Sequence, residues 1–389
     1  MPFNFDQINE RRQTHSLKWD IGEGELPLWV ADMDFKAAPV IQKALENRVK
    51  NGIFGYTVVP EAWKDAIINW WETRHQHTLG REDLIFCTGI VPAISTAVKR
   101  LTNVGDNVLV QSPVYNIFFN SIENHGRHVV ESELSYDGTA YSIDFEDLEA
   151  KLALPLTTLM ILCNPHNPVG KIWSREELAK IGDLCLKHHV TVISDEIHCD
   201  LTDPGQAYIP FASVSDVCAQ NSVTCLSASK AFNIAGLQSA FVSIPNEALR
   251  FKMERGLNSD EVAEPNAFAI DAVIAAFTEG GEWLDALRGY IKSNKDSVAE
   301  FLERELPSIR LIHSQATYLL WLDCSRITSD TTVLQHYLRE KTGLYLSEGS
   351  EYRGNGNLFL RMNIACPTAV LDDALRRLKR GIALYEQEK

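Results

Sequence analysis

Residues 158–198 read TLMILCNPHNPVGKIWSREELAKIGDLCLKHHVTVISDEIH, and their pattern decides the fold class. Thr158–Cys163 is a short run of apolar residues, as expected of a strand buried on both faces. Ser174–Glu177 (SREE) is a capping box, and the helix it opens runs to about His188. Val190–Ser194 is a second apolar strand. Strand, helix and strand in this order predict parallel pairing.

Working outward, the same alternation continues. Further strands are expected at Asp83–Cys87, Asn107–Gln111, Arg127–Glu133, Val223–Leu226 and Ala240–Ile244, and a helix with Pro in its first turn at Pro92–Leu101. The prediction is an α/β fold with a large domain built on a mostly parallel seven-stranded sheet. After about residue 246 the pattern becomes mainly helical, with a long helix at Glu282–Leu306 stopped by Pro307. A strand (Tyr318–Leu322), a helix (Thr332–Lys341), a strand (Leu358–Met362) and a last helix (Thr368–Tyr385) follow, which reads as a smaller α+β domain. The expected division is 48–285 for the large domain, with 1–47 and 286–389 forming the small one.

The chain has 389 residues, 45% of them hydrophobic and 23% charged, which is ordinary for a globular enzyme and excludes disorder as the main state. A net charge of −15 argues against nucleic acid or an anionic membrane as partner. No apolar run reaches the roughly 18 residues of a membrane span, and the first residues lack the charged and apolar regions of a signal peptide. Eight cysteines without a C-x-x-C pair predict buried, reduced thiols and a cytoplasmic protein.

Ligands of open α/β sheets bind at the carboxyl ends of the strands. The residues that follow the predicted strands are Thr88-Gly89, Ser112–Tyr115, Asn164–Gly170, Asp195–His198 and Ser227–Lys230. Taken singly, Gly89 and Asn167 are ordinary turn residues, Asp195 a cap, Tyr115 a core aromatic and Lys230 a solvated lysine. As a set they bring a glycine turn, an aromatic, an amide, a carboxylate and a hydroxyl-flanked lysine to one sheet edge. His75 with His77, and His188 with His189, lack a cysteine or carboxylate at ligand spacing, so no metal is expected. A dinucleotide fingerprint, a Walker loop and a G-x-S-x-G elbow are all missing from the sequence. Pyridoxal 5′-phosphate (PLP) suits the set, because it needs a lysine, an acid for its ring nitrogen, phosphate donors and an aromatic platform.

The order P-V-Y, N-P-H-N-P-V-G, S-D-E-I-H, S-A-S-K and a late R-M-N resembles the fold-type-I PLP enzymes of aminotransferase class I/II along nearly the whole chain. Trp29–Phe35 (WVADMDF), Phe54–Thr57 (FGYT) and Phe359–Pro367 (FLRMNIACP) are similar to the MalY/PatB group of cystathionine β-lyase-like C–S lyases. The resemblance implies a homodimer with shared active sites, acting on a small sulfur amino acid. In it Lys230 is the Schiff-base lysine and catalytic base, and Asp195 pairs with the pyridinium nitrogen. Asn167 contacts the cofactor 3-hydroxyl and the substrate carboxylate, Tyr115 stacks on the ring, and Arg361 holds the α-carboxylate. Ser227, Ser229 and the backbone of Ile90 and Val91 are expected on the phosphate, with Tyr56 reaching the neighbour's site and serving there in catalysis. His198 stands where typical aminotransferases carry Tyr near the 3-hydroxyl, and Gln238 where many carry a phosphate-binding Arg. The implied activity is β-elimination from cystathionine, cystine or a related cysteine S-conjugate. An aminotransferase and a PLP protein that binds a regulatory partner are the alternatives.

Overall fold

The apolar runs assemble into one sheet of seven strands: β1 (Leu84–Cys87), β2 (Asn107–Val110), β3 (His128–Glu131), β4 (Thr157–Cys163), β5 (Thr191–Asp195), β6 (Ser222–Leu226) and β7 (Ala240–Ser243). The computed structural model describes residues 3–388. The spatial order is β1-β7-β6-β5-β4-β2-β3. All pairs are parallel except those of β7, which runs antiparallel between β1 and β6.

The unbroken apolar character of β4 has a direct cause. Leu159, Ile161 and Cys163 face a core shared with the helix Ile90–Leu101, whereas Met160 and Leu162 face a second core with Leu178 and Ile181 of the helix Arg175–Lys187. Both faces of the strand are covered, so neither needs polar residues. Arg175–Lys187 begins at the expected capping box: the Glu177 N–H donates to Ser174 Oγ at 3.1 Å, and the Ser174 N–H to Glu177 Oε2 at 2.7 Å. The helix after β1 starts at Ile90, two residues before the expected Pro92, which still lies in the first turn where its missing N–H costs nothing.

A four-stranded antiparallel sheet follows, made of β8 (Arg310–Leu311), β9 (Leu319–Asp323), β10 (Ser347–Glu348) and β11 (Phe359–Asn363) in the order β8-β9-β11-β10. The long helix is Gly281–Glu305, and the chain ends in the helix Thr368–Gln387. Leu26–Pro27 pairs parallel with Leu344–Tyr345, which ties the N-terminal segment to the C-terminal region. Two helices, Pro39–Asn51 and Glu61–His75, lie where the sequence reading places no element. All eight cysteines are buried with free thiols. Among the described residues no helix is long and apolar enough to cross a membrane.

Candidate active site

From β2 the chain moves outward to β3, then returns past β2 to β4 and continues in the opposite direction to β5 and β6. This reversal is where a doubly wound sheet opens a crevice at its strand ends. A cavity of about 460 Å³ lies there. Its walls carry Tyr115 after β2, Asn167 after β4, Asp195 and His198 at the end of β5, and Ser227, Ser229 and Lys230 after β6. Ile90 and Val91, from the helix that follows β1, close one end, and Arg361 on β11 stands at the other.

Lys230 Nζ donates to the Ala31 carbonyl at 2.7 Å. Burial, reinforced by the positive Arg361, lowers its pKa to about 8. Burial raises Asp195 to about 7, against the opposing pull of the Ile197 N–H, which donates to Oδ1 at 3.1 Å, and of Lys230. Among the described residues no cation hydrogen-bonds to this carboxylate. A buried carboxylate left in that state calls for a positive partner. His198 is buried and kept neutral, with its pKa lowered to about 3 by burial and then by Lys230 and Arg361, and its Nδ1 has no partner.

Arg361 is buried, and its hydrogen bonds go only to neutral groups: Trp29 O at 2.8 Å, Ser347 Oγ at 3.3 Å and Asn167 Oδ1 at 3.3 Å. Its Nε is unpartnered. A guanidinium desolvated without a carboxylate is prepared for an anion that arrives with the ligand. At the opposite end the Ser229 N–H donates to Ser227 Oγ at 3.0 Å, and that hydroxyl donates to Ser239 O at 2.7 Å. Ser239 Oγ is buried with no partner, and Gln238 lines the same wall. Lys230 and Arg361 are the cationic side chains of the cavity, so neutral hydroxyls and the N-terminal amides of Ile90–Leu101 must serve any phosphate. A planar cofactor with a protonated ring nitrogen and a phosphate fits these groups, since it meets the unpaired Asp195 and the unpartnered Ser239 hydroxyl.

Tyr56 is not brought to this cavity within the single chain. It is fully exposed, on a segment where Ile53, Phe54 and Val58 are exposed too. A larger cavity, of about 680 Å³, lies elsewhere and is lined by His75, Cys199 and Asp200. The ligand atoms of these three lie within 4.8 Å of one another, although the sequence holds no cysteine or carboxylate at ligand spacing from His75. His75 is about 125 positions from Cys199 and Asp200 in sequence, so spacing did not reveal them. Asp200 already accepts from Trp70 Nε1 at 3.0 Å and lies 2.9 Å from His75 Nε2.

The sequence reading missed the supports of the site. Tyr318 OH donates to Ala31 O at 3.0 Å, Ser347 Oγ to Trp29 O at 2.9 Å, and Asn363 Nδ2 to both Val30 O and Asp32 O at 2.6 Å. These bonds hold residues 29–32 over Lys230 and Arg361. The WVADMDF motif marks the segment, but nothing local in sequence marks its distant partners.

The family described as "Aminotransferase class I and II" matches residues 21–378. The chain is 46% identical to "Cystathionine beta-lyase PatB" of Bacillus subtilis (strain 168), over 98% of this chain and 100% of that protein. It is 33% identical to "Protein MalY" of Escherichia coli (strain K12), over 98% of this chain and 99% of that protein. Its fold superposes with a TM-score of 0.95 on the crystal structure of cystalysin from Treponema denticola, described as containing a pyridoxal 5′-phosphate cofactor. That match is 32% identical and covers 98% of this chain and 99% of the other.

Proposed function

Because the chain belongs to the aminotransferase class I and II family, we propose that it is a PLP-dependent carbon–sulfur lyase. It cleaves the Cβ–S bond of cystathionine, cystine or related cysteine S-conjugates and yields a thiol, pyruvate and ammonia. The observation that carries this reading is the 46% identity over the full chain to a protein named cystathionine beta-lyase. The cavity supplies the groups that such a reaction requires.

PLP, when bound, accepts the electron pair that is left at the substrate Cα when its proton departs. Arg361 and Asn167 hold the substrate α-carboxylate, Arg361 with the fork geometry suited to it. Lys230 would hold the cofactor, and its amine, once free, would take the α-proton. In the cofactor-free chain burial and Arg361 lower the pKa of this amine to about 8, a direction that favours the neutral form a base requires. Asp195 keeps the ring nitrogen protonated, with Tyr115 against the ring and neutral His198 beside it. Ser227, Ser229 and the Ile90 and Val91 amides hold the phosphate. The departing sulfur receives a proton from Lys230, now an ammonium, or from Tyr56 of a second copy in a homodimer. The eliminated 2-aminoacrylate hydrolyses to pyruvate and ammonia. Eight buried free thiols suit a reducing compartment, and we assign the protein to the cytoplasm.

The test is thiol release from L-cystathionine by the PLP-loaded protein, read with a thiol reagent beside the Lys230→Ala variant. Steady release by the wild type and none by the variant is expected. Equal rates in both would overturn the reading.

A further inference from the structure

The cavity carries a group that the reaction itself does not use. Besides the serines, the helix amides and Arg361, its lining includes the carboxylate of Glu351. Glu351 sits on the short 3-10 turn Gly349–Tyr352, directly after β10. That strand pairs with β11 so that Ser347 stands opposite Arg361. The turn is tightly packed: a Cβ on Gly349 would run into the carbonyl oxygens of Gly356 and Phe359. It is also tied to the loop after β2, since the Val114 N–H donates to Tyr352 O at 3.0 Å. The backbone that carries Glu351 is therefore held in place, while its side chain is exposed and lines the cavity.

No basic side chain among the described residues forms an ion pair with Glu351. The surface arginine of the neighbouring helix, Arg339, is bonded to Glu25 at 2.6 Å and lies over the Tyr345 ring. Asp195 and Glu351 are the carboxylates of the cavity lining. Leu17, Trp29 and Ile117 give the cavity apolar walls. If Arg361 takes the α-carboxylate, the substituent on sulfur shares the cavity with these apolar side chains and the Glu351 carboxylate.

We propose that Glu351 is a specificity-determining residue that selects cysteine S-conjugates whose leaving thiol carries an ammonium group. The proposal rests on the C–S lyase reading and deepens it. Aminoalkyl thiols, including thiols that are themselves amino acids, are favoured, and purely carboxylated thiols are disfavoured by Glu351.

The experiment compares three substrates of similar size: S-(2-aminoethyl)-L-cysteine, S-(2-carboxyethyl)-L-cysteine and S-propyl-L-cysteine. Pyruvate formation by the PLP-loaded enzyme gives kcat/KM for each. The wild type should prefer the aminoethyl over the carboxyethyl compound. Glu351→Gln should lower that ratio about 5–10-fold, the scale of one partly solvated charge pair, chiefly through KM. Glu351→Asp should keep most of the preference, and added salt should weaken it in the wild type. An unchanged ratio in Glu351→Gln, with all three compounds cleaved, overturns this proposal alone. An equal loss in the Asp and Gln variants also overturns it, because shape rather than charge would then be responsible. If no compound yields pyruvate, the lyase reading fails and this inference fails with it.

Discussion

Asp195 shows what burial does to one group and how it can be measured. Its folded-state pKa of about 7 lies above the ordinary 3.8. Between about pH 4 and 7 the folded, cofactor-free chain therefore holds a proton that the unfolded chain has released, so stability falls as pH rises through that window. Asp195→Asn removes this dependence. In denaturant titrations without PLP the variant should gain on the wild type from pH 4 to 7, by up to a few kcal/mol at about 1.4 kcal/mol per pKa unit. A difference that is flat with pH contradicts the assigned burial. With PLP the order should reverse, and α-proton removal in the variant should stall. Arg361→Ala should weaken every amino-acid substrate by about 2–5 kcal/mol in kcat/KM, since a buried charged partner is lost; an unaltered KM would place the α-carboxylate elsewhere. At this scale the sequence was informative because parallel strands deliver the residues after them to one edge, so Tyr115, Asn167, Asp195 and Lys230 could be named as a set from position, while their roles came from the resemblance. Ser239, Tyr318 and Glu351 could not, because their relevance comes from packing against residues far away in the chain.

Among the elements, the segment 29–35 is the most exposed to test. Asn233, in the left-handed region at φ 56°, accepts from the Met33 N–H at 3.0 Å and donates to Met33 O at 3.0 Å and Phe35 O at 2.9 Å. Asn233→Ala breaks all three bonds and should cost about 2–4 kcal/mol, with faster amide exchange confined at first to residues 29–35. Exchange that rises evenly along the chain would show that Asn233 does not act as a local latch. The sheet strands were legible because burial on both faces leaves unbroken apolar runs. Two-residue β8 and β10 are too short to leave a period. Glu61–His75 does carry one, with Trp63, Ala66, Ile67, Trp70 and Trp71 buried on one face, but the sequence reading assigned no helix to that stretch. The bonds from Asn233 cross about 200 positions and leave no trace in local pattern.

For the whole molecule, a mostly parallel seven-stranded sheet follows from β/α alternation, while the strand order, the antiparallel β7 and the four-stranded sheet emerge only from tertiary pairing. We propose a homodimer in which the exposed segment around Ile53, Phe54 and Tyr56 meets a second copy. Mixing Tyr56→Phe with Lys230→Ala protein should then regain activity that neither has alone, because one hybrid site holds both native residues. An active protein that sedimentation shows to be a monomer contradicts this arrangement. The central claim concerns the fate of the electrons left at Cα, which a lyase uses to expel sulfur and an aminotransferase returns to its cofactor. The most direct measurement is the product balance from L-cystathionine with PLP-loaded enzyme and no added 2-oxo acid. Pyruvate, ammonia and homocysteine should accumulate together in equal amounts through many turnovers. Turnover that halts after one equivalent per site and resumes only when a 2-oxo acid is supplied would contradict the account.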